Sequence, residues 1–247
     1  MPDFRLTNGQ IASLDSPIRA ALTSHHAPLS QGGRHVRRYV PEIAPFAALL
    51  DESAQAFEEL RAMATASPVA VLNPAGRQPS PVEGLAVGFT AEVLQMVAIG
   101  DVPPAPSSPF LTLGAADAPE MVELAALTKP GPFLARTHEF GRYIGIREGG
   151  RLAAMTGERM RFDGFTEISA VCVHPDHRGR RHAQVLFAET MRWIAARGDR
   201  IFLHVYSDNA GAIALYERYG FAVRTALNVT LLKAADGGGA ATWTGRG

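Results

Sequence analysis

Runs of apolar residues alternate with polar breaks most regularly in the second half of the chain, where they predict an α/β fold of the α+β type. Apolar runs predict strands over 110–113, 143–147, 152–160, 166–173, 200–206 and 221–233. Apolar residues at helical spacing predict helices over 118–128, 183–194 and 209–219, the last ended by Gly220. The predicted order is strand, helix, three antiparallel strands, helix, strand, helix, strand.

The first hundred residues show a weaker pattern that also mixes helices and strands. It predicts helices over 17–29 and 53–65, and strands over 34–40, 69–72 and 94–99. His25 and His26 are adjacent, so their rings would diverge on a helix, and we assign both to a loop or surface role. This half contains no glycine-rich phosphate loop and no metal-ligand spacing.

A segment rich in proline and serine, residues 101–109, divides the chain. Proline cannot donate a backbone hydrogen bond, so this segment is predicted to be a linker or a long loop. Residues 234–247 are rich in Gly, Ala and Thr and are predicted to form a flexible tail. We therefore predict an N-terminal α/β half over 1–106, a second domain over 107–233 and the tail over 234–247.

Composition and charge exclude several classes of protein. The 247 residues are 47% hydrophobic and 19% charged, as in a globular protein with a large core. The formal net charge of +0 gives no overall field for nucleic acid, and no apolar run is long enough to span a membrane. With Cys172 as its single cysteine, the chain has no intramolecular disulfide, and we expect a reducing, cytoplasmic location.

The most informative segment is 174–183, which follows a predicted buried strand and leads into a predicted helix. The first turn of a helix has unpaired N–H groups and a positive dipole end, and Arg178, Arg180 and Arg181 add full charges. We expect this segment to bind a phosphate or pyrophosphate. His174, His177 and His182 lie on the same turn, which the phosphate-bearing ligand should occupy, so we predict no metal site.

These residues resemble those of the GNAT superfamily of acyl-CoA-dependent N-acyltransferases, in particular the branch with glycine N-acyltransferase-like domains. The matching pieces are Val173-His174-Pro175, the loop 178–183, Phe202–Val205 and the stretch from Asp208 to Phe221. By element order the resemblance covers 110–233. It implies the GNAT fold, a mixed, mostly antiparallel central sheet flanked by helices. The first half resembles the degenerate, GNAT-like first halves of some two-domain members.

The arginine loop departs from the family at one position. The family pattern is Gln or Arg, two residues, Gly, one residue, then Gly or Ala, and Arg178 and Ala183 fit it. Arg181 stands where Gly is usual, and Gly lets the backbone approach a phosphate closely because it has no Cβ. Arg181 either blocks that approach or points outward and adds a charge.

The resemblance implies an N-acetyltransferase that moves an acetyl group from acetyl-CoA to a primary amine of a small molecule or peptide, by direct attack in a ternary complex. Coenzyme A would lie between the strands ending at Val173 and Tyr206, where a bulge frees the Val173 N–H to polarise the acyl carbonyl. The implied cofactor-binding residues are Val171, Cys172, Val173, Arg178, Gly179, Arg180, Arg181, His182, Ala183, Asn209 and Tyr216.

Two side chains are implied to be catalytic. Tyr216 matches the family tyrosine that protonates the CoA sulfur, although a core tyrosine would fit the same position. Glu167 lies 11 positions before Arg178, the spacing of the catalytic glutamate in histone-acetylating relatives, and we expect a raised pKa suited to a base acting through water. A surface glutamate is the alternative. Weaker candidates are His138, Glu139 and Glu158, whereas His204 and the Cys172 thiol are interpreted as core.

Three questions stay open at this stage. Arg181 and the featureless first half are also compatible with a non-catalytic acyl-CoA-binding regulatory module. The first half could instead close over the second and form the acceptor pocket. A homodimer by sheet extension through the last strands is a third expectation that the sequence does not decide.

Overall fold

The computed structural model describes residues 5–75, 82–104 and 109–235, so most of the predicted tail lies outside the described residues. The helices are α1 (Asn8–Asp15), α2 (Pro17–Leu22), α3 (Ala54–Ala66), α4 (Ala118–Thr128), α5 (His182–Ala196) and α6 (Ala210–Arg218). The strands are β1 (Ser30–Gly32), β2 (Val36–Tyr39), β3 (Ala47–Leu49), β4 (Val69–Pro74), β5 (Leu85–Ala98), β6 (Leu111–Leu113), β7 (Tyr143–Glu148), β8 (Arg151–Phe162), β9 (Phe165–Val173), β10 (Arg200–Tyr206) and β11 (Phe221–Ala234).

Eight strands form one sheet in the order β4-β11-β5-β10-β9-β8-β7-β6, and β1, β2 and β3 form a small second sheet. Within the large sheet only β9 and β10 run parallel, and the other neighbouring pairs are antiparallel. The predicted fold class, a mixed and mostly antiparallel sheet flanked by helices, is thereby confirmed.

Helices cover both faces of the sheet because successive strand residues point to opposite sides. On one face, Phe187, Met191 and Ile194 of α5 pack with Ile168 and Leu203 of the strands. On the other face, Met121 and Leu124 of α4 pack against Met155 and Cys172. The N-terminal helices α1 and α2 share that second face and build the largest core cluster with Phe162, Phe165 and Phe202.

The large sheet crosses the predicted boundary at 106/107. Strand β5, from before the boundary, pairs with β10 through residues such as Gln95 and with β11 along its whole length. Strand β4 continues the sheet on the far side of β11. Residues from both predicted domains therefore supply each other's backbone hydrogen bonds.

One N-terminal helix is shorter than predicted, and one N-terminal histidine is buried within its turn. The helix predicted over 17–29 ends at Leu22, because the hydroxyls of Thr23 and Ser24 bond to backbone carbonyls four residues earlier and compete with the helix. His26 lies in the turn after α2, as the loop assignment predicted, but it is buried. Its Nδ1 lies 2.9 Å from the Tyr39 hydroxyl and its ring stacks on Phe140, and burial lowers its pKa to about 4.

The position of β11 leaves only part of one edge for the predicted dimer by sheet extension. This last strand pairs with β5 along its whole length, whereas β4 pairs with only residues 227–232 of the other edge. A homodimer stays a prediction.

No helix among residues 5–75, 82–104 and 109–235 combines the length and the apolar character that a membrane crossing requires.

A shortened chain of residues 107–235 is expected not to fold, because it lacks the strand between β10 and β11. Circular dichroism with heating should show no cooperative transition for this piece. Residues 1–106 and 107–247 produced together should associate and restore the transition. Cooperative unfolding of 107–235 alone, within a few degrees of the whole chain, would show that the second half is an independent domain.

Candidate active site

The site begins where β9 and β10 stop pairing. Their parallel pairing covers only three residue pairs, and the last joins Phe202 to Glu167. Beyond that point the strands diverge and open a pocket of about 820 Å³, including the open space at its mouth. One wall consists of Ile168–Val171 of β9, and the opposite wall of His204–Tyr206 of β10.

Strand β9 carries the expected bulge on the pocket side. From Cys172 to Ser169 the strand advances three residues while β8 advances only two, from Met155 to Gly157. Ala170, within this step, has a left-handed φ of 54°. Just beyond, the His174 N–H donates to Ala153 of β8 at 2.8 Å, so the preceding N–H, that of Val173, points away from β8. An N–H with this direction is available to a ligand between β9 and β10.

The arginine loop connects β9 to α5 as the sequence predicts. Arg178, Gly179, Arg180 and Arg181 are exposed, and His182 is the first residue of α5. Arg181 is the N-cap of α5 and has φ of 61°, the left-handed conformation that glycine adopts without strain. Among the described residues, no side chain caps this helix end, so its first-turn N–H groups can receive an anion.

The charges at this loop are partly balanced by Glu148. Its carboxylate lies 3.7 Å from Arg180 Nη1 and 3.3 Å from His182 Nε2. Of the three arginines expected to hold a pyrophosphate, Arg180 is the one for which the described residues supply an acidic partner. His182 and Ala183 lie in the first turn of α5, as expected for backbone contacts to an anion.

Asn209 and Tyr216 lie on the same side of the pocket. The Asn209 side chain accepts a hydrogen bond from the Ala212 N–H at 3.1 Å, so it caps α6 as expected, and it also lines the pocket. Tyr216 lines the pocket while its ring packs on Phe187, with 5.2 Å between centroids. Burial raises the pKa of Tyr216 to about 12, so its hydroxyl keeps its proton at neutral pH.

Glu167 lies at the point of divergence, fully buried, in an ion pair with Arg159 of β8. Arg159 donates through Nε to Oε2 at 2.8 Å and through Nη2 to Oε1 at 2.5 Å. Burial acts to raise the carboxyl pKa, but the charge of Arg159 and the hydrogen bonds from Arg159 and His204 outweigh it and lower the pKa to about 2. The expected raised pKa is therefore wrong, and so is the alternative of a surface glutamate.

His204 continues this network across the gap. Its Nδ1 lies 2.7 Å from Glu167 Oε1, and its Nε2 lies 3.2 Å from Gln95 Nε2 of β5. Gln95 is held in this orientation because its Oε1 accepts from Arg224 and its Nε2 donates to the Leu14 carbonyl. Since Gln95 Nε2 can only donate, the His204 Nε2 accepts and the proton is on Nδ1. His204 is a satisfied buried histidine, as expected, and it also lines the pocket.

The other end of the pocket is formed by residues that the sequence analysis did not single out. Phe46, Leu72 and Val93 come from the N-terminal half, and Lys129 and Arg159 from the second half. The Arg159 guanidinium lies over the Phe46 ring, 5.4 Å from its centroid. Two adjacent charged residues inside an apolar strand, Glu158 and Arg159, were the sequence feature that could have indicated this end of the pocket.

The remaining candidates lie outside the pocket wall. Glu158 is buried on the face opposite Arg159 and accepts hydrogen bonds from Trp193 at 2.6 Å and Arg197 at 3.0 Å. Glu139 pairs with Arg136, and His138 has a buried Nδ1. Cys172 is buried, and burial raises the pKa of its thiol to about 12, consistent with a core residue.

Together these groups can place an acyl thioester between two strands. The loop before α5 offers backbone N–H groups at a helix N-terminus beside three arginines, and the pocket offers a bulge and a protonated tyrosine. The far end offers a walled space with two cationic side chains. This arrangement suits transfer of an acyl group from a diphosphate-bearing carrier to an acceptor.

Similarity to known proteins agrees with this geometry. A model of the family described as FR47-like protein matches residues 143–229. The N-alpha-acetyltransferase RimI of Mycobacterium tuberculosis is 34% identical over 125 residues, which cover 45% of this chain and 78% of that protein.

Solved structures extend the similarity over both halves. A GNAT-family acetyltransferase from Novosphingobium aromaticivorans is 37% identical with a TM-score of 0.83, over 90% of this chain and 98% of the other. A GCN5-related N-acetyltransferase from Kribbella flavida shares the fold at 16% identity, with a TM-score of 0.59 over 90% of this chain and 94% of its own. This chain matches two relatives at more than 30% identity over most of their length. The chain therefore belongs to the GNAT family of acetyltransferases.

Proposed function

We propose that the protein transfers an acetyl group from acetyl-CoA to a primary amine, by direct attack of the amine within a ternary complex. The observation that carries this proposal is the divergence of β9 and β10 after three residue pairs, with Tyr216 and the β9 bulge both on the resulting pocket. The name of the mycobacterial relative, an N-alpha-acetyltransferase, supports an amine as the acceptor class.

The residues that would bind the acetyl-CoA donor lie along the gap between β9 and β10 and at the start of α5. The first-turn N–H groups of α5, with Arg178 and Arg181, would hold the pyrophosphate, and Arg181 has the left-handed backbone that glycine adopts without strain. The free edge of β9 at Val171 and Val173 would pair with the pantetheine arm as an added strand would. The Val173 N–H is the proposed donor to the thioester carbonyl, whose oxygen gains charge during attack.

Tyr216 is proposed as the acid for the departing thiolate. Its raised pKa means that it is protonated throughout the physiological range, and its place between Phe187 and the pocket fixes the ring. A thiolate leaving group takes the phenolic proton as the carbon–sulfur bond breaks, while the new carbon–nitrogen bond forms.

Glu167 is proposed as a positioning residue rather than the base. A carboxylate with a pKa near 2, held by Arg159 and His204, is a weak proton acceptor. Its two oxygens instead join β8, β9 and β10 where the pocket opens. The proton of the attacking amine would leave through water in the pocket, so amines that are neutral at the working pH should react fastest.

The direct experiment mixes the protein with acetyl-CoA and a panel of primary amines and follows release of free thiol. Binding is measured separately, by thermal shift with coenzyme A. Thiol release that depends on both the amine and the protein supports the proposal. Binding of coenzyme A without turnover of any amine would refute it.

Replacing Tyr216 by Phe should lower kcat by about 10²-fold or more, the usual contribution of a general acid, while the KM for acetyl-CoA changes little. Tyr219→Phe is the matched control, because the Tyr219 hydroxyl bonds to the Gln184 carbonyl and lies outside the pocket wall. Steady-state kinetics of the three proteins decide the outcome. Equal kcat values for Tyr216→Phe and Tyr219→Phe would remove Tyr216 from the mechanism.

Replacing Glu167 by Gln should lower the free energy of unfolding by about 3–5 kcal/mol at neutral pH, because Arg159 is left buried without its counter-charge. Glu139→Gln, which breaks the more exposed Arg136 pair, should cost less than about 1 kcal/mol. Denaturant unfolding provides both values.

The same variant tests the depressed pKa of Glu167. A carboxyl whose pKa falls from 4.5 to about 2 on folding contributes stability above pH 4.5 and loses it as the pH falls toward 2. The stability gap between the natural protein and Glu167→Gln should therefore shrink between these pH values. A gap that stays constant across this range would show that Glu167 titrates normally in the folded state.

A further inference from the structure

Gln95 of β5 lies against the ring of His204, on the side away from Glu167. Gln95 is fully buried, and its Nε2 lies 3.2 Å from the Nε2 of His204. The amide of Gln95 is fixed in one orientation because both of its ends are bonded. Its Oε1 accepts from Arg224 Nε, and its Nε2 donates to the Leu14 carbonyl at 2.7 Å. A reversed amide would lose both hydrogen bonds, since an N–H would face the guanidinium and an oxygen would face the carbonyl.

Arg224 of β11 is itself held in place by an acidic residue of the first half. Its Nη2 donates to Asp15 Oδ1 at 2.6 Å, and its side chain is only 14% exposed. A guanidinium has donors and no acceptor, so the hydrogen bond between Arg224 and Gln95 can run in only one direction. The orientation of the Gln95 amide is therefore determined by an ion pair that lies outside the pocket wall.

Two neighbours act on the charge of His204 in opposite directions. Glu167 accepts from His204 Nδ1 at 2.7 Å, and a carboxylate at this distance favours a second proton on the imidazole. Gln95 opposes that proton, because an imidazolium would carry an N–H on Nε2 that faces the N–H of the fixed amide. Two donors that face each other form no hydrogen bond and leave buried N–H groups without an acceptor. The fixed amide therefore favours the neutral imidazole with its proton on Nδ1.

The charges around the apex of the pocket make the state of His204 matter. The other titratable groups that face the apex or the pocket are Arg159, Tyr39, Tyr143, His26, Tyr216 and Lys129. Burial raises the pKa of all three tyrosines and lowers the pKa of His26 to about 4, so these four groups are neutral at pH 7. Arg159 is balanced by Glu167, and Lys129 contributes one positive charge. A protonated His204 would add a second positive charge to the pocket wall.

We propose, on the basis of the proposed acetyl transfer, that Gln95 is a positioning residue that keeps His204 neutral and thereby favours attack by the amine. An amine nitrogen that bonds to the thioester carbon becomes positively charged until its proton leaves to water. A cationic His204 on the same wall would raise the energy of that state, whereas a neutral ring does not. A buried amide from the first half thus sets the charge of the site, although Gln95 is not among the residues that line the pocket.

Nitrogen-15 NMR of the histidine rings tests the charge state without any turnover. The His204 signals are identified by their loss in His204→Gln. In the natural protein Nδ1 should carry the single ring proton between about pH 6 and pH 8, the range in which an unperturbed histidine changes charge. A His204 that is protonated on both nitrogens at pH 6, or on Nε2 alone, would overturn the proposal whether or not the protein acetylates any amine.

Gln95→Glu is the matched variant, because it keeps the size of the side chain and the bond from Arg224 but replaces the donor N–H by an acceptor oxygen. Both ring nitrogens of His204 should then be protonated at pH 7. Thermal unfolding shows whether this variant folds, since the Leu14 carbonyl loses its donor. Arg224→Leu is the second variant. It frees the Gln95 amide to turn, so His204 should lose its single protonation state, whereas Arg224→Lys retains a donor and should restore it.

Kinetics separate this role from a merely structural one. In Gln95→Glu, kcat/KM for a primary amine, expressed per neutral amine, should fall about tenfold at pH 7. The loss should shrink as the pH rises and the imidazolium gives up its second proton, while the KM for acetyl-CoA changes little. Gln55→Glu adds the same charge at an exposed position of α3 and should keep the natural pH profile.

Two kinetic outcomes would contradict the proposal while leaving the acetyltransferase function intact. A loss in Gln95→Glu that is the same at every pH would mean that the substitution only disturbs packing. Natural kinetics in a Gln95→Glu protein whose His204 is doubly protonated would mean that the charge of this ring does not affect the attacking amine.

Discussion

The short parallel pairing of β9 and β10 is the constraint on which the site depends, and Glu167 marks its end. Parallel strands that stay paired leave no room for a ligand between them. A pocket therefore requires a point at which backbone pairing stops and side-chain hydrogen bonds hold the strands instead. Here the carboxylate of Glu167 makes those hydrogen bonds, to Arg159 on β8 and to His204 on β10. The ion pair holds three strands at the apex while their ends separate, which explains why a charge is buried at this place.

The N-terminal half completes this arrangement in two ways. Strand β5 lies between β10 and β11, and its Gln95 fixes the ring of His204 from the side opposite Glu167. Phe46 lies against the guanidinium of Arg159 and walls the pocket at its cationic end. The first half therefore acts on the site through direct contacts, and dividing the chain at the proline-rich segment separates residues that work together.

How well the sequence predicted each element depended on whether neighbouring or distant residues determine that element. The strand, loop and helix around 166–196 were predictable because apolar runs, a turn and helical spacing are local properties. Strand β5 was predicted only over 94–99 although it spans 85–98, because its first half is mostly small or exposed residues with little hydrophobic contrast. The burial of His26 was not predictable because its partners, Tyr39 and Phe140, are distant in sequence.

The sequence by itself determined the family resemblance, the order of elements in the second half, the position of the arginine loop before α5 and the cap at Asn209, since all of these rest on residues close together along the chain. Only the tertiary structure decided what Glu167 does. Its pKa depends on Arg159, eight residues away across a hairpin, and on His204 in another strand, and no spacing rule gives the sum of burial and charge at one carboxylate. The same holds for the pocket wall, because residues as far apart as Phe46, Lys129 and Val229 meet only when the sheet closes around them.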